Sequence, residues 1–555
     1  MTDQTTSPPT PTADFLLTAY TRFRKALTNP STTPGTPILS NANPSNNTNN
    51  DIPILPSPQA LTANLLLRLP SRTDLDYLSP RGPEKTHEHI LNDILPSLNR
   101  QSLSPRYFGF VTGGVLPIAE AADNIVSGVD QNVQVHFPIS EGGMVHSAST
   151  YVEGAALQMV VDLLELEPKD VTGEVWKGRT FTTGATASNI LGLACAREGA
   201  IARRLGGSKG EELSVADLGV LEACRRAGVR GFAVLGSMPH SSVLKAASLV
   251  GFGRESVKNV GMEGQPWRLD LEKLEEELER KQKEGIACVV VVGAGEVNTG
   301  RFGTGVLDMP KVRSLADRYG AWVHVDGAFG LFARALPKEE EFLALHAQVA
   351  GLELADSIAA DGHKLLNVPY DNGIFLTRHL SILTQVFRNT NAAYLVASPS
   401  QGVDPTVAIP SPLNIGLENS RRFRALPVYA VLLSEGRQGI EAMLSRMVRL
   451  ARIIAAFVRD SSHYELLPEG NDDAAALENT FMIVLFKARD KKLNEELVDR
   501  INRTGKVFVS GTMWEGRKAA RIAVASWQVD VERDAAVVKE VLTAVAEGRE
   551  SELSL

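Results

Sequence analysis

ACVVVVGAGEVNTGRFGTGVLDMPKVRSLADRYGAWVHVDGAFG, residues 287–330, decides the fold. It opens on an unbroken run of valines bounded by glycine. Such a run suits a strand covered on both faces better than one that alternates between core and water. The helical pattern of MPKVRSLADRYG follows and stops at Gly320, and AWVHVDG is a second strand. The same alternation extends outward. A helix over Thr150–Leu166 precedes the strand RTFTT (179–183), a glycine turn and a helix through ASNILGLACAREG (187–199). FAVLGS (232–237) is a strand and SSVLKAASLVG (241–251) a helix. Strands and helices in turn give an α/β fold with a mostly parallel sheet covered on both faces.

After about residue 430 the style changes. A long helix around Gly439–Arg459 leads to strands FMIVLFKA (481–488), KVFVSG (506–511) and ARIAVAS (520–526), then a helix over Asp530–Glu547. That reads as a smaller C-terminal α+β domain. At 555 residues the chain exceeds what one core supports. The expected divisions are 1–60, 61–115, a large domain over 116–430 and a small one over 431–555. Within the first, a short helix around Asp14–Leu27 precedes residues 29–60, whose Pro, Ser, Thr and Asn have little to bury and read as disordered.

A net charge of -8, with no dense basic block, argues against nucleic acid or an anionic membrane as the main partner. No apolar run approaches the ~18 residues that span a bilayer. Cys195, Cys224 and Cys288 form no CxxC pair and suit a reducing compartment; with no secretion signal at the start, cytoplasm is the expectation. His87 and His89 decorate a helix face, and no metal site is expected.

In open α/β sheets ligands collect at the carboxyl ends of strands. After RTFTT comes GATASN (184–189), whose small residues and helix start favour an anion. After FAVLGS comes His240, before a helix, where a histidine most often makes only local hydrogen bonds. After VVVVGAG come Asn298 and Thr299. After AWVHV comes Asp326, a carboxylate that is costly there unless paired, with Gly327 and Ala328 leaving room for something flat. Further on, DSIAADGHKLLNVPYDNG (356–373) places Lys364 where the local pattern is buried. Pyridoxal 5'-phosphate accounts for the whole set. It needs a lysine for a Schiff base, a carboxylate to keep its pyridine nitrogen protonated, a phosphate cup and a flat contact for its ring.

HSSV (240–243), HVDGAFG (324–330), ADSIAADGHKLLNVPYD (355–371), SRRFRALPVY (420–429) and the C-terminal VFVSGTMWEGRKAARIAVAS, in this order, resemble the group II pyridoxal-phosphate-dependent amino acid decarboxylases, the aromatic amino acid and glutamate decarboxylase family. The resemblance runs from about residue 60 to 547. It implies fold type I, with a seven-stranded, mostly parallel sheet in the large domain, and a homodimer with active sites at the interface. It makes Lys364 the Schiff-base lysine, Asp326 the partner of the pyridine nitrogen and His240 the imidazole stacked on the ring. It puts Ala185 and Thr186 at the phosphate cup, Ala328 beneath the ring, Ser357 and His363 on the cofactor side, and Asn298 at a polar cofactor contact. Thr112 falls where family members contact the substrate carboxylate, with Tyr107 and Phe108 in the pocket wall.

One stretch departs from the family. Where decarboxylases carry a tyrosine on a mobile loop, residues 398–422 hold neither tyrosine nor histidine. The implied activity is decarboxylation of an L-amino acid to the amine, aromatic substrates slightly favoured. The alternatives are an aldehyde-forming oxidative deaminase or an aminotransferase-like enzyme. A non-catalytic binding protein is disfavoured by the presence of Lys364, Asp326 and His240. Residues 398–418, rich in proline, are expected to form the lid.

Overall fold

The computed structural model describes residues 13–28, 54–56, 69–136, 147–167, 175–205, 214–389, 409–468 and 475–553. Most of the expected 29–60 segment, and residues 398–408 of the expected lid, lie outside them.

The large sheet has seven strands: β1 (Gly178–Thr182), β2 (Gly231–Gly236), β3 (Val257–Asn259), β6 (Ile286–Gly293), β7 (Trp322–Asp326), β8 (Ser357–Asp361) and β9 (Gly373–Thr377). Between β3 and β6 a small hairpin, β4 (Gly261–Met262) with β5 (Gln265–Leu269), stands apart. The sheet order is β1-β9-β8-β7-β6-β2-β3. From β8 through β7, β6 and β2 to β3 every pairing is parallel; β9 alone runs against both neighbours. The valine run of β6 lies inside the sheet between β7 and β2, with Val289–Val292 all buried. Val290 and Val292 face one core, while Val289 and Val291 face a second with Leu191, Val243 and Trp322. Helices on both faces explain why this strand has no polar side.

Register sets the site. Gly293, the last residue of β6, pairs with Asp326, the last of β7, so both strands deliver their loops to one edge. The Asp308–Tyr319 helix makes the crossover between them and ends at Gly320, whose φ of 66° closes its last turn. At the far side Gly373 lets the turn after β1 approach β9: a Cβ there would overlap Thr182 Oγ1 and the backbone of Gly184.

The smaller sheet is antiparallel, in the order β10 (Tyr464–Leu467), β11 (Ile483–Ala488), β13 (Arg517–Ala523), β12 (Ser510–Trp514). The expected strand over 506–511 starts later than its pattern implied. Phe508 is instead tied to the N-terminal segment, through Phe108 N–H to Phe508 O at 2.7 Å. The connecting segment Ala425–Asp460 is two helices that meet at a kink at Gly436, whose φ of 57° and ψ of -171° are not helical. The helix after the kink matches the expected Gly439–Arg459; the helix before it, from Ala425, was not expected, and position 430/431, the expected domain division, falls within that one.

The described part of the expected lid, from Ile409 on, is packed at Leu413 and Ile415, both buried, with Leu417 half-exposed. Leu413 N–H donates to Gln134 O at 2.9 Å. No described helix is long and apolar enough to cross a membrane.

Candidate active site

A cavity of about 670 Å³ opens where the carboxyl edge of the large sheet meets the small sheet. Lys364, His363, Asp326, Ala328, His240, Ala185, Thr186 and Asn298 all line it. Residues spread over 180 positions of sequence thus share one wall because β1, β2, β6, β7 and β8 end there.

Asp326 closes β7. Its Oδ2 accepts from Asn189 Nδ2 at 3.0 Å and its Oδ1 from Ala328 N–H at 3.4 Å, and it makes no ion pair among the described residues. Behind it runs a directed chain of hydrogen bonds. Trp322 Nε1 donates to Ser357 Oγ at 2.9 Å, and Ser357 Oγ lies 2.8 Å from His324 Nδ1. His324 Nε2 lies 2.8 Å from Asn189 Oδ1, which only accepts. His324 therefore carries its proton on Nε2 and receives the Ser357 hydroxyl at Nδ1. Burial pushes its pKa down to about 4 against the pull of Asp326, so it is neutral near pH 7. Asn189 Nδ2 also donates to Ser242 Oγ at 3.0 Å, and Ser242 Oγ lies 2.7 Å from His240 Nδ1. Because Ser242 N–H also reaches Nδ1, that atom is an acceptor and the His240 proton sits on Nε2. One buried asparagine thus orients both Asp326 and His240.

This corrects the expectation for Ser357. It is fully buried beneath Trp322 and His324 and does not line the cavity. Tyr107, Phe108 and Thr112 also stay outside the lining. Phe108 is completely buried, Tyr107 stacks on Phe508 at 4.8 Å, and Thr112 Oγ1 meets Tyr370 Oη at 3.3 Å. Their segment pairs with the small domain, which turns Gly109, Phe110 and Val111 to the cavity instead. His87 and His89 lie elsewhere, His89 Nδ1 at 2.8 Å from Asp93.

Lys364 lies in the short Gly362–Leu365 turn of helix after β8. Its Nζ is 2.9 Å from Asp361 Oδ2 and 5.9 Å from the centre of the Phe329 ring. Asp361 Oδ1 in turn accepts from Ala185 N–H at 2.6 Å, at the start of the Ala185–Leu205 helix. His363 Nδ1 lies 2.8 Å from Asn372 O and 3.3 Å from Asn372 N, and burial lowers its pKa.

Asp361 was passed over in the sequence, although it ends a strand as Asp326 does. Glu296 was passed over beside Asn298. It is 9% exposed and accepts from Asn298 Nδ2 (3.0 Å), Thr299 N–H (2.8 Å) and Thr299 Oγ1 (2.9 Å). Asn298 Oδ1 accepts from Thr512 Oγ1 of β12 at 2.7 Å. Tyr370, half-exposed, puts a phenol on the wall at 4.5 Å from the His363 ring. Arg521 of β13 carries no local signal at all. Its Nε donates to Val297 O at 2.6 Å and its Nη1 to Gly109 O at 2.9 Å, and Nη2 has no partner among the described residues. Burial lowers its pKa to about 10, with Glu296 opposing.

The comparisons agree with this geometry. Residues 144–477 match the model of the pyridoxal-dependent decarboxylase conserved domain. The L-2,4-diaminobutyrate decarboxylase of Acinetobacter baumannii is 29% identical over 326 residues, 58% of each chain. Tryptophan decarboxylase 1 of Oryza sativa subsp. japonica is 25% identical over 461 residues, 80% of each. A crystal structure of Oryza sativa TDC with PLP and tryptamine superposes with a TM-score of 0.75 at 22% identity, covering 98% of this chain and 99% of that one.

The cavity fits pyridoxal phosphate. It holds a lysine amine, a carboxylate with no cation of its own, and a helix start for a phosphate. Family match and site together place the protein: the chain belongs to the pyridoxal-dependent decarboxylase family and is a pyridoxal-phosphate-dependent carboxy-lyase acting on an amino acid.

Proposed function

We propose that the protein removes CO2 from an L-amino acid and releases the amine, working as a homodimer in the cytoplasm. The observation that carries this is Lys364 and Asp326 at one cavity edge, with Asp326 hydrogen-bonded by Asn189 and free of any ion pair among the described residues. Bound pyridoxal phosphate supplies the electron sink for the bond that breaks. Lys364 would anchor it through Nζ, and Asp326 would keep a proton at its ring nitrogen. His240, oriented by Ser242, would pack on the cofactor, and Ala185 and Thr186 would hold its phosphate. Loss of CO2 leaves Cα in need of a proton, and Lys364, His240 and Tyr370 carry protons on the cavity wall.

The aromatic preference no longer rests on Tyr107 and Phe108. Phe110, Trp267 and Phe329 supply apolar surface, while Glu296, Asn298, Thr512 and Arg521 supply polar contacts. This combination suits a side chain with an apolar body and a hydrogen-bonding end. The relatives act on substrates as different as tryptophan, aspartate and 2,4-diaminobutyrate, by their names. Exposed Ile125 and Val129 on the Pro117–Val129 helix, with exposed Leu433 on the helix packed against it, support pairing of two copies. Free thiols at all three cysteines are in keeping with cytoplasm.

The aldehyde-forming reading is favoured by one observation, the lack of tyrosine and histidine in 398–422. A screen of L-amino acids for CO2, amine, aldehyde and hydrogen peroxide, with sedimentation of the holoenzyme, tests both. The proposal requires CO2 and amine in equal amounts from a dimer. Aldehyde and peroxide in place of amine establish the second reading, and no CO2 from any amino acid overturns both.

A further inference from the structure

Asp361 makes the two contacts that a bound cofactor most needs for itself. Its side chain is almost wholly buried, and the sheet fixes its position. Asp361 ends β8 opposite Gly373, and its N–H donates to Ala328 O at 3.1 Å. One oxygen pairs with Lys364 Nζ at 2.9 Å; the other accepts from the Ala185 amide at 2.6 Å. His363 Nε2 stands 3.7 Å from the latter oxygen. That amide begins the helix to which the phosphate is assigned, and an anion there competes with the carboxylate for the same N–H. A phosphate carries close to two negative charges, and a fixed carboxylate beside it repels it.

We propose that Asp361 is a brake on cofactor binding: it occupies the phosphate's amide and repels the phosphate, so that the protein holds its cofactor less tightly than the rest of the site allows. This rests on the assignment of Lys364 and Ala185 to the cofactor site. Capture itself balances without Asp361 as a reactant. Nζ bonds to the aldehyde carbon and the C–O bond breaks. The oxygen leaves as water with two ammonium hydrogens, and the positive charge stays on nitrogen. What Asp361 changes is the phosphate end. Asn at this position keeps an acceptor for Ala185 and replaces a charged oxygen with an N–H donor for a phosphate oxygen.

The experiment is equilibrium and stopped-flow binding of pyridoxal phosphate to apoenzyme, read by cofactor absorbance, for wild type and Asp361→Asn. Pyridoxal, which lacks the phosphate, is the parallel probe. Asp361→Asn is expected to bind pyridoxal phosphate at least ~10-fold more tightly, with little change for pyridoxal, since loss of one like charge at close range is worth about a factor of ten or more. Equal or weaker binding of pyridoxal phosphate overturns the proposal. So does an equal gain for pyridoxal, which assigns the effect to Lys364 rather than the phosphate. Asp361→Ser, which keeps a hydroxyl for Ala185, repeats the comparison if the Asn protein does not fold. Borohydride labelling of a lysine other than Lys364 shows instead that the cofactor-site assignment has failed, and it overturns the brake with it.

Discussion

At the scale of single residues the site is a set of fixed charges. Lys364 is the amine nearest the helix start and the only one on the cavity wall among the described residues. Borohydride reduction of the holoenzyme is therefore expected to fix the phosphopyridoxyl group in the peptide containing GHKLL, as peptide mapping reads directly. Asp326 keeps its hydrogen bonds in Asp326→Asn but loses the charge for the ring nitrogen. Cofactor absorbance is expected to persist while kcat falls about a hundredfold or more, since a buried charge partner is worth several kcal/mol. Tyr370→Phe tests the phenol. If it returns the proton to Cα, the variant releases a larger fraction of aldehyde than wild type, measured as the aldehyde-to-amine ratio; an unchanged ratio leaves the proton to Lys364 or His240. These residues were unequally legible. Lys364, Asp326 and His240 sit at strand ends or beside a helix start, where sequence shows them. Ser357 also starts a strand, yet its side chain points to the Trp322 face, away from the cavity.

At the scale of elements, strand ends made the cavity foreseeable, and helix limits were harder. The helical segment Ala425–Asp460 is broken at Gly436, which takes φ 57° and ψ -171°, a region essentially restricted to glycine. A Cβ at Gly436 meets no atom within 4 Å, so the cost of substitution is conformational. Gly436→Ala is expected to destabilise the protein by ~1–3 kcal/mol with normal cofactor binding, by denaturant titration. An unaltered midpoint indicates that the bend relaxes into a straight helix. The expected lid illustrates the opposite case. Proline-rich composition pointed to a loose loop; 398–408 lie outside the described residues, and beyond them Leu413 and Ile415 are buried by neighbours that only the fold supplies.

Across the whole molecule, buried histidines link stability to pH. His324 falls to about 4 from an unfolded value near 6.5, and His363 and His136 are lowered in the same direction by burial. A lowered pKa means the unfolded chain binds more protons between the two values. Stability is then full above about pH 6.5 and is lost as pH falls toward 4. For His324 this amounts to on the order of 3 kcal/mol. Unfolding midpoints are expected to drop over that window, and His324→Gln to flatten the drop; a slope identical to wild type excludes His324 as its source.

The sequence by itself determined the parallel sheet, because β-branched runs alternating with amphipathic helices have few other ways to bury both faces. It also determined the cofactor chemistry, because a lysine, a carboxylate and small residues at strand ends suit few other ligands. Tertiary structure alone decided the opposite wall. Arg521 lies in the middle of a strand of the other sheet, where its spacing matches any exposed arginine. It becomes a cavity residue because β13 docks against the loop at Val297 and the backbone of Gly109. The Asn189 relay is equally non-local: an asparagine on a helix and a histidine in a strand meet only when that helix packs on the sheet. Periodicity records which face of an element is buried, but not which partner covers it, and the hydrogen bonds that orient this site are made with those partners.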